Sequence, residues 1–186
     1  MSRLTVFNDR QPGAPLLSTV EGDEIARELA AIGVRFERWA SPVKLAPDAA
    51  PEAILKAYKP HLDRLMGASG AGSADVIQLA PDAPDAAALR EKFLAEHVHT
   101  EDEIRFFVQG SGHFVLHAHD RIYDAFCEAG DLISVPANIK HWFDAGPRPM
   151  FTALRVFTDR SGWVPHYTGD EISARFPLNS PVTNAA

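Results

Sequence analysis

The sequence predicts a mainly β fold, an antiparallel β-barrel with N-terminal α-helices packed outside it. Three observations carry that expectation. From about residue 97 to residue 157, short runs rich in Val, Ile, Phe and Tyr follow one another. Gly, Pro, Asn or Asp stands at nearly every junction between them, the pattern of strands joined by tight turns. Ahead of residue 97, apolar residues instead recur mostly at helical spacing.

Taken in order, Leu4 to Phe7 reads as a short strand. Ser18, with Glu21 three residues on, has the form of a capping box that would open a helix. Ile25, Leu29 and Ile32 mark that helix's apolar face, and Gly33 stops it. Val34 to Trp39 alternates apolar and charged residues, as a strand does. Pro51 suits the first turn of a second helix through Ile54, Leu55, Tyr58, Leu62 and Leu65, which Pro60 should kink or split. Gly67 to Ser73 reads as a flexible loop, Asp75 to Leu79 as a strand, and a third helix starts near Pro84 and runs through Leu89, Phe93 and Leu94. The expected barrel strands are His97–Val108, Gly112–His117, Arg121–Phe126, Asp131–Val135, His141–Phe143 and Phe151–Phe157. Residues 177–186 have little to bury and read as a loose tail.

The chain has 186 residues, enough for one domain with its own core and too few for two large ones. It divides into an α/β part over 1–95 and a barrel core over 96–160. A formal net charge of -7 and the lack of any Lys/Arg cluster argue against nucleic-acid or anionic-membrane partners. Cys127 stands alone, which rules out a disulfide within the chain and a Cys-rich zinc site; it reads as a small half-buried hydrophobe. No stretch resembles a signal peptide or a membrane span, so a cytoplasmic protein is expected.

The chemistry is concentrated in Glu96-His97-Val98-His99-Thr100-Glu101-Asp102-Glu103-Ile104-Arg105-Phe106-Phe107. Side chains two apart on a strand share a face, so His97 and His99 point together, and Glu103 has the same parity. A proline-led turn, Pro136-Ala137-Asn138, delivers His141. Three imidazoles and a carboxylate suit a divalent transition metal, and four protein ligands on an octahedral ion leave two positions open for chemistry. His117-Ala118-His119 has the same His-x-His spacing but no following glutamate, and reads as ordinary polar surface.

His97-x-His99-x-x-x-Glu103 with Gly110, followed by Gly130, Pro136-x-Asn138 and His141, resembles the two cupin motifs in order. Asn138 stands where that pattern usually has glycine, and Asn tolerates the left-handed turn. Ala145 and Glu91 also depart from the pattern, both in turns. The longer run Phe93-x-x-Glu96-His97-x-His99-x-Glu101-Asp102-Glu103-Ile104-Arg105-Phe106-Phe107-x-x-Gly110-Ser111-Gly112 resembles the acireductone dioxygenase family of methionine salvage, over nearly the whole chain.

That resemblance implies a cupin barrel, or double-stranded β-helix, with one Fe2+ or Ni2+ held by His97, His99, Glu103 and His141. It implies a small-molecule substrate, an acireductone, cleaved with dioxygen by a monomer. Arg105 matches a position tied to the substrate dianion, Glu96 one tied to metal incorporation, and Asp102 one tied to relaying conformational change. Arg155 matches an arginine near the site, and Phe93, Phe143 and Trp163 are candidates to wall the substrate's apolar tail. For Arg105 a plain salt bridge to Glu103 or Asp102 is the alternative, and for Glu96 and Asp102 a solvated carboxylate. Two other functions stay open: another cupin dioxygenase or isomerase, and a non-catalytic ligand-binding cupin. The Glu-Asp-Glu run with Arg105 speaks against the first, and the complete ligand set against the second.

Overall fold

Two antiparallel sheets share one long strand in a computed structural model that describes residues 1–39, 43–46, 48–84, 86–159 and 164–176. The elements run β1 (Arg3–Asn8), β2 (Gln11–Thr19), α1 (Gly22–Ala30), β3 (Arg35–Arg38), α2 (Pro51–Ala57), α3 (Lys59–Ser69), β4 (Ser73–Leu79) and α4 (Ala86–Leu94). There follow β5 (His97–Val98), β6 (Glu103–Ala118), β7 (Arg121–Glu128), β8 (Asp131–Val135), β9 (Lys140–Asp144), β10 (Phe151–Phe157), β11 (His166–Tyr167) and α5 (Ile172–Arg175). One sheet has the order β11-β5-β9-β6-β7-β1-β2; in the other, β8 and β10 flank β6, with β3 and β4 outside them.

β6 joins the sheets because its backbone changes face. Up to Phe107 it pairs with β8 and β10, and from Ser111 with β7 and β9. Its register against β10 slips between Phe107 and Gln109, and Gly110 adopts a left-handed φ of 70°. One extra residue in a strand inverts which side chains point inward. Glu103, Arg105 and Phe107 therefore face the interior before the bulge, whereas Gly112, Phe114 and Leu116 face it afterwards. Gly110 also has no room for a Cβ, which would lie 1.9 Å from the Met150 carbonyl oxygen.

The interior between the sheets is filled by Leu4, Val6, Phe107, Phe114, Phe143 and Phe151 among others, and α1 adds Ile25 and Leu29 to the same cluster. A second cluster lies outside the β6–β10 sheet, where α2 and α3 bury Ile54, Tyr58, Leu62 and Leu65 against Ile104, Phe106 and Leu154. Pro60 does split the helical run: α2 ends at Ala57, and Pro60 sits in the first turn of α3, where its missing N–H costs no hydrogen bond.

Several expectations need correction. Ser18 lies in β2, and α1 begins after Glu21 with no side-chain cap, so the capping box does not form. Thr19 Oγ1 instead accepts from the Glu21 amide at 3.2 Å. Gly67, Ala68 and Ser69 belong to α3, which ends at the left-handed Gly70. His97–Val108 is not one strand: β5 stops at Val98 and β6 starts at Glu103, while Gly112–His117 continues β6. Cys127 is fully buried, not half-buried. The expected loose tail lies outside the described residues.

Candidate metal centre

β5 and β9 are neighbours, and His97 stands directly opposite His141 in their register. The break after Val98 brings His99 round, and the first residue of β6 brings Glu103. The ligand atoms of His97, His99 and His141 all lie within 4.8 Å of one another, and all three residues are buried. Glu103 Oε2 approaches His141 Nε2 at 3.1 Å and His99 Nε2 at 3.4 Å.

The ring protons face away from this cluster. His97 Nδ1 donates to Ala95 O at 2.7 Å, His141 Nδ1 to Ile139 O at 2.8 Å, and His99 Nδ1 to Val164 O at 3.3 Å. A carbonyl oxygen only accepts, so each Nδ1 carries the proton and each Nε2 presents a lone pair. Burial, reinforced by the neighbouring His141, pushes His97 down to about 4, which keeps it neutral at pH 7. Burial alone would raise Glu103, but the Arg105 guanidinium outweighs it and holds the carboxyl well below its usual range.

This arrangement fits a cation. His141 Nε2 is buried without a hydrogen-bond partner, beside a carboxylate oxygen that is also an acceptor. Two acceptors that close repel unless positive charge lies between them. Metal–ligand bonds of about 2.1 Å meeting at right angles set adjacent donor atoms about 3.0 Å apart. The Glu103 separations from His141 and His99 are close to that value. The three imidazoles could hold a divalent transition metal, with Glu103 poised to complete the set.

Beside the cluster lies a cavity of about 190 Å³. Arg105, on its wall, is 5% exposed and donates from Nη2 to Glu103 Oε1 at 2.5 Å. The salt bridge weighed from sequence is therefore present, yet Nε and Nη1 of Arg105 remain buried without partners. Its guanidinium lies over the rings of Phe143 and Phe114, 5.0 and 5.6 Å from their centroids. Phe93 and Phe143 line the same cavity. Arg155 also lines it, opposite Arg105 in register, but is forked onto the Asp75 carboxylate by two 2.8 Å hydrogen bonds.

Glu96 and Asp102 stand elsewhere. The Glu96 carboxylate is buried away from the cavity, receiving His117 Nδ1 and Thr168 Oγ1, each at 2.6 Å. Burial would raise it, but those two bonds hold it below its ordinary value. His117 is thereby engaged in structure and not with the cluster. Asp102 Oδ1 accepts from the Ala137 amide at 3.0 Å, and Asn138, with φ 64°, donates its amide to His99 O at 2.9 Å. The two motifs are thus latched to each other. Trp163 lies outside the described residues.

Phe114, Pro165 and Tyr167 line the cavity without having been singled out from sequence. Phe114 stacks on His141, with centroids 5.5 Å apart. Only the face change in β6 turns it inward, and β11 is two residues long, too short to leave a periodic signal.

A profile of the ARD/ARD' family matches residues 3–165. The chain belongs to this family. A protein of Acidiphilium cryptum (strain JF-5) named acireductone dioxygenase is 66% identical over 178 residues, covering 96% of this chain and 99% of that protein. One of Granulibacter bethesdensis with the same name is 63% identical, covering 95% and 99%. The solved structure of acireductone dioxygenase from Bacillus anthracis, with a cadmium ion in its active centre, superposes with a TM-score of 0.79 at 29% identity. It covers 90% of this chain and 98% of that one. Family membership, the cupin fold and the dioxygenase class all stand as the sequence predicts.

Proposed function

We propose that this chain cleaves an acireductone, 1,2-dihydroxy-3-keto-5-methylthiopentene, with dioxygen. The unpaired Nε and Nη1 of Arg105 carry this proposal. Buried guanidinium donors with no partner call for an anionic oxygen, and an enediolate provides one. Arg105 holds the substrate as its dianion, while Glu103 orients the guanidinium through Nη2. Phe93, Phe143 and Phe114 exclude water and receive the methylthioethyl tail. Trp163 is proposed to extend that apolar wall, Arg155 to add positive potential, and Glu96 and Asp102 to support the ligands from outside the cavity.

His97, His99, Glu103 and His141 would hold one Fe2+ or Ni2+, which supplies Lewis-acid and template chemistry when bound. With iron, the proposed products are formate and 4-methylthio-2-oxobutanoate; with nickel, formate, carbon monoxide and 3-methylthiopropanoate. Each set accounts for every atom of substrate plus one dioxygen. The first set would serve methionine salvage; we further propose that the chain acts in the cytoplasm as a monomer.

The test is product analysis. Metal-free protein is loaded with Fe2+ or Ni2+, mixed with the acireductone, and followed by oxygen uptake and identification of carbon monoxide and the acids. Turnover with metal-dependent products is expected; no turnover with either metal would overturn the proposal.

A further inference from the structure

We propose that Thr168 is a positioning residue for the metal centre, tying segment 164–168 to the strand that carries His97 by way of Glu96. This rests on the metal site proposed above and deepens it. The segment touches the centre at three points. Val164 O takes the Nδ1 proton of His99 at 3.3 Å. Tyr167 pairs with His97 across β11 and β5, with ring centroids 5.9 Å apart. Pro165 and Tyr167 wall the cavity.

What holds the segment there is largely polar. Val164 and Tyr167 are 57% and 51% exposed, so little burial of their side chains anchors it. At its far end, Thr168 Oγ1 donates to Glu96 Oε2 at 2.6 Å, and the Thr168 amide donates to Glu96 O at 3.0 Å. Glu96 is itself fixed, because its other oxygen is held by His117 Nδ1. His117 Nε2 in turn faces Asp9, 3.8 Å away. A chain Thr168–Glu96–His117 thus links the residue after β11 and the residue before β5 to β6, behind the imidazoles. Removing the threonine hydroxyl loosens the segment, which keeps its β11–β5 pairing and the Thr168 amide bond, and so weakens the hold of the Val164 acceptor that keeps the His99 Nε2 lone pair toward the centre. Partners of this kind, one shell outside the ligands, commonly change metal affinity about 10- to 100-fold.

Thr168 is exposed, so its replacement leaves the apolar core intact. The experiment compares the nickel-loaded full-length chain with its Thr168→Val and Thr168→Ser variants, timing nickel release to excess EDTA. Alongside, nitrogen NMR of the metal-free proteins reads the His99 tautomer. Thr168→Val should release nickel at least about 10-fold faster and lose the pure Nδ1–H tautomer, and Thr168→Ser should restore both. Parent-like release from Thr168→Val, or release from Thr168→Ser as fast as from the valine variant, would overturn the proposal. Neither readout uses substrate. A chain that bound nickel in this way but failed to turn over acireductone would sink the proposed activity and leave Thr168's role standing. A parent chain that bound no nickel would remove the metal centre and this role together.

Discussion

At the scale of single residues, the metal-binding and anion-binding tasks are separable, because they fall on different atoms. His141 offers a buried Nε2 with no hydrogen-bond partner, and His141→Ala deletes it. Nickel affinity should fall by more than about 100-fold, beyond the loss typical of outer partners, while far-UV circular dichroism stays unchanged. Calorimetric titration with nickel measures this, and near-parent affinity would exclude His141 as a ligand. Arg105→Gln should behave in the opposite way: bound metal within about two-fold of parent, and kcat lowered about 100- to 1000-fold, the usual effect of losing one preorganised donor. A variant with parental kcat would leave Arg105 as a mere partner of Glu103. The cluster of His97, His99, Glu103 and His141 was legible because its spacing sits in two short local motifs. Phe114 and Tyr167 were not, since each reaches the cavity only through pairing with a distant strand.

At the scale of elements, β6 decides where the cavity lies. After its bulge, Gly112 faces inward against Phe143, and a Cβ there would come within 2.4 Å of the Phe143 ring. Phe143 also underlies the Arg105 guanidinium. Gly112→Ala should therefore push the ring into the cavity, costing about 1–3 kcal/mol by overpacking and raising KM more than it destabilises the fold. Urea denaturation together with steady-state kinetics checks both; unchanged stability and KM would show that the ring has free space. Legibility at this scale followed the strength of the local pattern. α1, β3, α2 and β4 were readable from apolar periodicity, and the break at Pro60 from its missing donor. β2 escaped because Pro12, Gly13 and Pro15 obscure the alternation of a mostly exposed strand. The capping box failed because strand pairing of Ser18 with Thr5 claimed the serine backbone first.

At the scale of the whole molecule, the N-terminal and barrel parts share one core. Ile25 and Leu29 of α1 and Leu4 and Val6 of β1 belong to the same cluster as Phe107, Phe143 and Phe151 of the barrel. Such residues cannot unfold separately without exposing the barrel interior to water. We propose that the chain is one cooperative domain, with the metal centre at the junction of β5, β6 and β9 reporting on all of it. Calorimetry of the metal-free protein should then show a single transition whose calorimetric and van't Hoff enthalpies agree. Metal bound only by the folded state stabilises it by about 4 kcal/mol at a thousand-fold excess over Kd. For a chain of this length that raises Tm by roughly 8–16 °C. Because His97, His141 and Glu103 come from β5, β9 and β6, and β6 joins the two sheets, the whole transition should move together and not split. Two resolved transitions, only one of them shifted by nickel, would mean that the helical N-terminal part and the barrel fold independently.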